Sequence, residues 1–512
     1  MQDHGGFVGS FCAGEVLANL HGPTVPSRNS GTPRAPFRQP DVMCWMVMST
    51  QRFLLRGGTV LSMDPRIGTL ASGDVLIEDD RIAVIAPDLA DDDAEVVDVS
   101  GHIVAPGLID THRHTWQTQL RGLCADWTLT DYVFGVRLTL SPAYRPEDVY
   151  LGNRNGALDA LNAGVTTLLD FSHCNNTPEH ADAAVTGLRD TGIRAVFGYG
   201  FFESSPFAPP HFAAHADRLA DFARVADDWF ASKDNLVTLG VALTEPELVP
   251  LEVTQAEVLA ARERDALIVT HTGCLWQFPN SVTAMDDAGL LGPDQVHVHC
   301  NTLTDDEWRR LARNDAKLSI SPETELNMGM GRPAFAAAAR HGIKPTLSCD
   351  VLSLNTGDLF TQLRLGVAFQ RWADTESVNL AGGDPEAVTV TAHDALEWTT
   401  VNAAEAVGLD DRIGSLTPGK QADVVVVANP ASPQIDPAGA LLFQTTADNV
   451  RHVLVAGRFV KRDGTLVGVD MNRLNADAAA SAHDILAGVA ASGRQLPGTP
   501  PGGLAIIKAM VD

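Results

Sequence analysis

The chain reads as an α/β protein, a parallel (β/α)8 TIM barrel joined to a small β domain, on three observations. From about 106 to 405, short apolar runs alternate with helical stretches, the pattern of repeated βα units. Both flanks of that region instead carry close-set β texture with turn residues between the runs. The chain's 512 residues, 45% apolar and 20% charged, are enough to bury more than one core.

In chain order, residues 1–47 are rich in Gly, Pro, Ser and Asn without a sustained period, and read as a flexible N-terminal extension. Met43, Met46 and Met48 put the natural start near the first strand. Residues 48–105 hold runs at 53–61, 74–78 and 81–85, the first part of the β domain. The barrel is assigned to 106–405. Its first strand ends in His112-Arg113-His114, and further strands are predicted at 166–171, 195–200, 236–243, 266–270, 295–299, 317–321 and 344–349. Helical stretches at 146–163, 179–191, 210–230, 255–264, 305–313 and 332–341 lie between them. Residues 406–470 return to β texture at 422–427 and 450–457, so the simplest fold joins both flanks into one sheet domain. Residues 471–512 are left as a C-terminal helical tail.

The formal charge of −27 is spread along the chain and argues against nucleic acid and anionic membranes as partners. No apolar run approaches the roughly 18 residues that span a bilayer. Seven Cys, an odd number without a CxxC pair, read as reduced thiols in a cytoplasmic protein.

In barrels of this kind the chemistry sits at the C-terminal strand ends. Residues two apart in a strand face the same side, so His112 and His114 aim at one point. The run 266–270 leads into His271, 295–298 into His299 and 344–349 into Asp350. Singly, each has a plain structural use; Asp350, for example, suits a helix N-cap. His297 shares the strand and facing of His299, and the terminal position favours His299. Together, the imidazoles and the carboxylate converge on one mouth. They suit one divalent metal, Zn or Fe, with a position left for water, whose pKa such a metal brings down to about 7. Asp350 is placed to bind the metal, to take the proton of that water, or both in turn.

The motifs VAPGLIDTHRH at 104–114, GVTT at 164–167, VHC at 298–300, SCD at 348–350 and GSLTPGKQAD at 414–423 resemble the amidohydrolase superfamily. The likeness is to its cytosine-deaminase-like and triazine-hydrolase-like branch, over about 53–470. The resemblance implies a mononuclear Zn or Fe site with His112, His114, His271 and Asp350 as ligands, and His299 orienting or polarising the attacked group. It also implies a composite β-sandwich for the flanks and a homo-oligomer, a dimer or higher. Members with two metals carry a bridging carboxylated Lys at the fourth strand. Here that strand ends near Leu243-Thr244-Glu245, and Lys233 stands at the wrong end, which supports one metal.

One position departs from the branch. Its deaminases carry Glu three residues after the fifth-strand His, where this chain has Cys274. A thiol with a pKa near 8.5 is a poor proton shuttle. Glu325, just past the seventh strand, is the expected replacement, ahead of Glu323 and Glu245. Glu325→Gln is then expected to cut turnover about a hundredfold or more with the metal retained. Trp116, Gln117, His173 and Trp276 are expected to read the substrate, since aromatic faces with amide and imidazole donors suit a flat nitrogen heterocycle. The expected activity is metal-dependent hydrolytic displacement, by metal-bound hydroxide, of an amino group or a halide-like anion from a heterocyclic carbon. A cyclic amidase that opens the ring and an inactive metal-binding scaffold remain as alternatives. A redox metalloenzyme is disfavoured because the chain has no Cys cluster.

Overall fold

Seventeen strands fall into two sheets in this computed structural model, which describes residues 51–91, 93–202, 211–274, 281–428 and 435–509. The expected extension over 1–47 lies outside the described residues. The N-terminal flank gives β1 (Arg52–Leu61), β2 (Thr69–Glu78), β3 (Arg81–Ala86), β4 (Glu95–Asp98) and β5 (His102–Pro106). The barrel strands are β6 (Leu108–Arg113), β7 (Val165–Ser172), β8 (Arg194–Gly200), β9 (Val237–Ala242), β10 (Leu267–Thr272), β11 (Gln295–His299), β12 (Lys317–Ile320) and β13 (Pro345–Leu347). The C-terminal flank gives β14 (Val424–Ala428), β15 (Val450–Val455), β16 (Arg458–Arg462) and β17 (Thr465–Leu466).

The flanks meet in one mixed nine-stranded sheet, sewn together where β14 runs antiparallel to β5. Period-two burial explains why a run of valines forms that seam. Val424 and Val426 face the sheet domain's own core with Leu55, Val75 and Val104. Val425 and Val427 face the barrel core with Leu161 and Val165. One strand thereby glues the two domains by apolar burial on both faces.

The eight barrel strands are parallel and neighbour one another in chain order from β6 to β13. The ring closes at the candidate site itself. Asp350 N–H donates to the His112 carbonyl and His114 N–H to the Asp350 carbonyl, each at 3.0 Å, and Arg113 bridges Asp350 in parallel register. Between the two His, Arg113 is turned away and fully buried, its Nε donating to Asp110 at 2.8 Å and its Nη2 to the Gly357 carbonyl at 2.7 Å. The opposite end is plugged by Ala403, Ala404, Val407 and Ile413 against Ile109, Val196 and Val296.

The helix that follows the last strand is Leu359–Leu380, and its N-cap is Asp358, which accepts from Thr361 N–H at 2.8 Å. Asp350 is therefore not a cap. Two elements frame the mouth beyond the barrel strands. One is the segment of the helix Leu129–Tyr132 and the wide π-type turn Val133–Leu140. The other is the C-terminal tail, with helices Met471–Ala491 and Gly503–Ala509. Among the described residues, no helix is long and apolar enough to cross a membrane.

Candidate metal centre and active-site chamber

Four strand ends deliver their side chains to one point. His112 Nε2 lies 3.1 Å and His114 Nε2 3.3 Å from the same Asp350 oxygen, Oδ1. His271 stands with its ring 5.0 Å from that of His112, and His299 Nε2 is 4.0 Å from Asp350 Oδ2. The donor atoms of His112, His114 and Asp350 lie within 4.8 Å of one another, as do those of His112, His271 and His299. All five side chains are buried. His299 and Asp350 hold the left-handed backbone region, φ +75° and +54°, a strain of about 1–3 kcal/mol each for a residue with a Cβ. The bonds that close the ring hold Asp350 there, and Cys300 N–H donating to the Thr272 carbonyl at 2.9 Å holds the turn after His299.

The hydrogen-bond accounting asks for a cation. His114 Nδ1 is 3.3 Å from the Phe171 carbonyl, and His271 Nδ1 is 3.3 Å from Glu245 Oε1, so each ring spends an N–H on an outward acceptor. Burial holds the His114 pKa down to about 4 and that of His271 to about 3, so each ring carries one proton at neutral pH. The Nε2 lone pair of His114 then faces Asp350, whose carboxyl stays well below the usual range; burial raises it, but the His112 and His114 rings against it lower it more. Lone pairs crowded on a carboxylate repel unless a cation lies among them. Neutral imidazoles with one carboxylate are the N/O donors that a divalent ion such as Zn or Fe takes. At the fourth strand end stand Leu243, Thr244 and Glu245, while Lys233 pairs with Asp265 at the other end of the barrel.

Behind these donors lies a buried supporting layer. Trp116, Gln117 and His173, expected to read substrate, are all fully buried and line no part of the chamber. Trp116 Nε1 donates to His173 Nδ1 at 3.3 Å, and that nitrogen also lies 3.1 Å from His114 Nδ1. Ser353 donates to Gln117 Oε1 at 3.1 Å, and Gln117 Nε2 donates to Tyr132 Oη at 2.7 Å. It is Tyr132, missed in the sequence, that reaches the chamber. Trp276 lies outside the described residues.

Glu325 is not a free acid at the mouth. The short helix Pro322–Asn327 turns it under His299, where Oε1 faces His299 Nδ1 at 3.1 Å and accepts from Ser321 N–H at 2.9 Å. Its Oε2 accepts from Asn301 Nδ2 at 3.1 Å. Burial lowers the His299 pKa, but Glu325 and the charge of Asp350 outweigh it, and the net shift is upward. Glu245, in contrast, does line the chamber. Its Oε1 takes the Arg137 guanidinium at 3.1 Å as well as His271. Arg137 lies against the Phe202 ring, 4.0 Å from guanidinium carbon to ring centre. Arg137 also escaped the sequence reading, although a lone charge inside the apolar run 132–140 was a usable signal. Cys274 lines the chamber too, and burial pushes its thiol well up, so it stays neutral.

The chamber has a volume of about 470 Å³. His114, His271, His299 and Asp350 make its floor, and Val133, Leu138, Phe202, Leu248 and Ile507 its apolar roof. A larger cavity of about 890 Å³ opens at the other end of the barrel, far from these donors. Among its charges, Arg262 pairs with Asp294, Arg264 with Asp227 and Lys233 with Asp265.

The profile of the amidohydrolase family matches residues 103–460. The chain is 26% identical over 439 residues to a 5'-deoxyadenosine deaminase of Methanothermobacter thermautotrophicus, covering 82% of this chain and 95% of that one. It is 28% identical over 434 residues to a 5-methylthioadenosine/S-adenosylhomocysteine deaminase of Symbiobacterium thermophilum, covering 81% and 94%. Among solved structures it is similar in fold to a zinc-bound adenosine deaminase from Xanthomonas campestris, with TM-score 0.74, 23% identity and coverage of 85% and 98%. It is also similar in fold to the zinc complex of atrazine chlorohydrolase from Arthrobacter aurescens, with TM-score 0.72, 22% identity and coverage of 84% and 100%.

Proposed function

The chain belongs to the amidohydrolase family, and on that premise we propose that it is a metal-dependent hydrolase displacing a leaving group from a ring carbon of a small nitrogen heterocycle. The observation that carries this reading is the meeting, at one barrel mouth, of two donor sets that share His112, one with His114 and Asp350 and one with His271 and His299, each within 4.8 Å. His112, His114, His271 and Asp350 are the proposed ligands of one divalent metal, Zn or Fe. Bound there, the metal supplies a Lewis acid that acidifies water and polarises the attacked group.

The chain's own residues do the rest. Asp350 has a second oxygen, Oδ2, turned toward His299 rather than toward His112 and His114, and it receives the proton of the attacking water. His299, with its Nδ1 anchored on Glu325, presents Nε2 to the ring atom that gains electron density. Glu325 acts through His299 as a positioning residue, and Trp116 and His173 fix the ring of His114. Gln117 orients Tyr132. The apolar roof shields the ring from bulk water and strengthens each polar contact on the floor.

Two leaving groups fit the reaction class. The deaminases named above remove an amino group, which leaves only when protonated; here that proton comes from Asp350 Oδ2 after it has taken it from water. The neutral thiol of Cys274 favours a second reading, departure of an anion such as halide, which needs no acid. The test loads the protein with Zn or Fe and offers aminated and halogenated purines, pyrimidines and triazines, with ammonia and anion release both measured. Release from any of them at more than the rate of the Asp350→Asn variant supports the reading. No release from a fully metal-loaded, folded protein refutes it.

A further inference from the structure

The family match ends at residue 460, yet the chain comes back to the active-site mouth after it. The helix Met471–Ala491 docks on the barrel side, where Ser481 Oγ donates to Asp148 Oδ1 at 2.7 Å. Thr499 Oγ1 then donates to Asp131 Oδ1 at 2.6 Å, pinning the tail to the acid that accepts the N–H of the cap residue Thr128 at the start of the helix Leu129–Tyr132. From there the helix Gly503–Ala509 lies across the 129–140 segment. A Cβ on Gly503 would stand only 3.0 Å from the Phe134 ring and 3.3 Å from Thr130. Ile507 is 6% exposed and packs with Phe134 and Leu138, with Val133, Phe202 and Leu248 against them.

Five members of that cluster, Val133, Leu138, Phe202, Leu248 and Ile507, are also the chamber roof. Of the charged groups beside the roof, Arg137 pairs with Glu245, and the atoms this contact leaves over, Arg137 Nε and Nη2 and Glu245 Oε2, are buried. The five roof side chains themselves carry no hydrogen-bonding group and no charge. A methylene moved from water against such a wall gains about fourfold in binding. A hydroxyl buried there without a partner loses about tenfold.

We propose that the C-terminal helix is part of the substrate site. Ile507, with Leu138, receives an uncharged apolar substituent, an alkyl or alkylthio chain, on the side of the heterocycle away from the reacting carbon. The pair selects this substituent against hydroxylated or charged ones. The proposal rests on the hydrolase reading above and specifies its substrate class.

The test compares the metal-loaded full chain, Ile507→Asp, and a chain stopped after Gly502 that keeps the Thr499 anchor. The probes are 6-aminopurines and 2-chloro-1,3,5-triazines bearing butyl, 4-hydroxybutyl or 3-carboxypropyl on the far side of the ring. Binding is read by calorimetry, and turnover by ammonia or chloride release. In the full chain the butyl member is expected to be favoured about tenfold or more in both Kd and kcat/KM, and in either variant less than about threefold. Ile507→Asp preserves chain length, and its melting temperature checks its fold independently of the shortened chain. An unchanged ranking across the three proteins overturns the proposal. A butyl preference in binding that the variants lose, without product release from any member, overturns the hydrolase reading and leaves the wall standing. No binding by any member overturns both.

Discussion

The floor and the roof of one chamber are built by opposite means. On the floor, each donor comes from a barrel strand end and is held from behind: His114 by the Phe171 carbonyl, His271 by Glu245, His299 by Glu325. Two of the floor residues hold strained φ angles, Asp350 sustained by the ring closure and His299 by the bond from Cys300 to Thr272. The roof comes from a π-type turn, loops and a tail, and its members touch chiefly through apolar contact. Chemistry demands direction, so it is tied to the rigid closed ring. Selection demands shape and polarity, which excursions from the ring supply.

The largest effect that breaks this contrast is on the floor. Asp350→Asn removes the carboxylate charge and its second oxygen while keeping the backbone bonds that close the barrel, and Asn tolerates φ > 0. Turnover is expected to fall by about 10²–10⁴-fold, and metal measured by elemental analysis to fall below one per chain, with the melting temperature near wild type. Full metal and full turnover in this variant would show that the floor is not the reactive surface. Next in size is the joint between floor and wall. Glu245→Leu strands the buried Arg137 cation and is expected to cost about 3–5 kcal/mol in denaturant unfolding. Adding Arg137→Leu should return most of that loss; strictly additive losses would mean the two groups are not coupled.

The same contrast explains what the sequence disclosed. The floor was legible because a barrel repeats, so His112, His114, His271, His299 and Asp350 announced themselves as polar residues closing apolar runs. Val133, Leu138 and Ile507 carried no such signal, since apolar residues in helical stretches look alike whether they face a core or a substrate. Glu325 was legible as an acid past a strand, but not its direction. The helix starting at Pro322 swings it inward beneath His299, a local turn that strand periodicity does not encode. The triplet after His114 misled for a related reason. Trp116 and Gln117 sit on a tight turn whose buried side supports the floor, and they reach the chamber through other residues, Trp116 through His173 and His114 and Gln117 through Tyr132.

Glu325→Gln sharpens the division between groups that touch the reacting atoms and groups that hold them. A partner behind a ligating or polarising His is typically worth about 10–100-fold, less than the floor carboxylate itself. The expected outcome is a fall in kcat within that range with KM, metal content and melting temperature near wild type. An equal rise in KM would place Glu325 against the substrate instead.

The smallest effect lies beneath the chamber wall and is read as stability against pH. Thr244 lines the chamber, and the fully buried Glu257 accepts its N–H at 2.8 Å and its O–H at 2.7 Å. Burial pushes the Glu257 carboxyl up to about 8, although those two bonds pull the other way. In the unfolded chain the same group ionises near the ordinary glutamate value of about 4.3. Between these values the folded form holds a proton that the unfolded form has lost, so raising the pH favours unfolding. The stability this group confers is complete below the unfolded value and is lost progressively as pH climbs to about 8, at a slope of at most about 1.4 kcal/mol per unit. Glu257→Gln mimics the protonated form: its amide oxygen accepts the Thr244 N–H, and its amide nitrogen donates to the hydroxyl. Thermal unfolding from pH 5 to 8 should therefore show the variant gaining on the wild type as pH rises. A constant difference across that range would mean that Glu257 is ionised in the fold and that the wall rests on a buried charge.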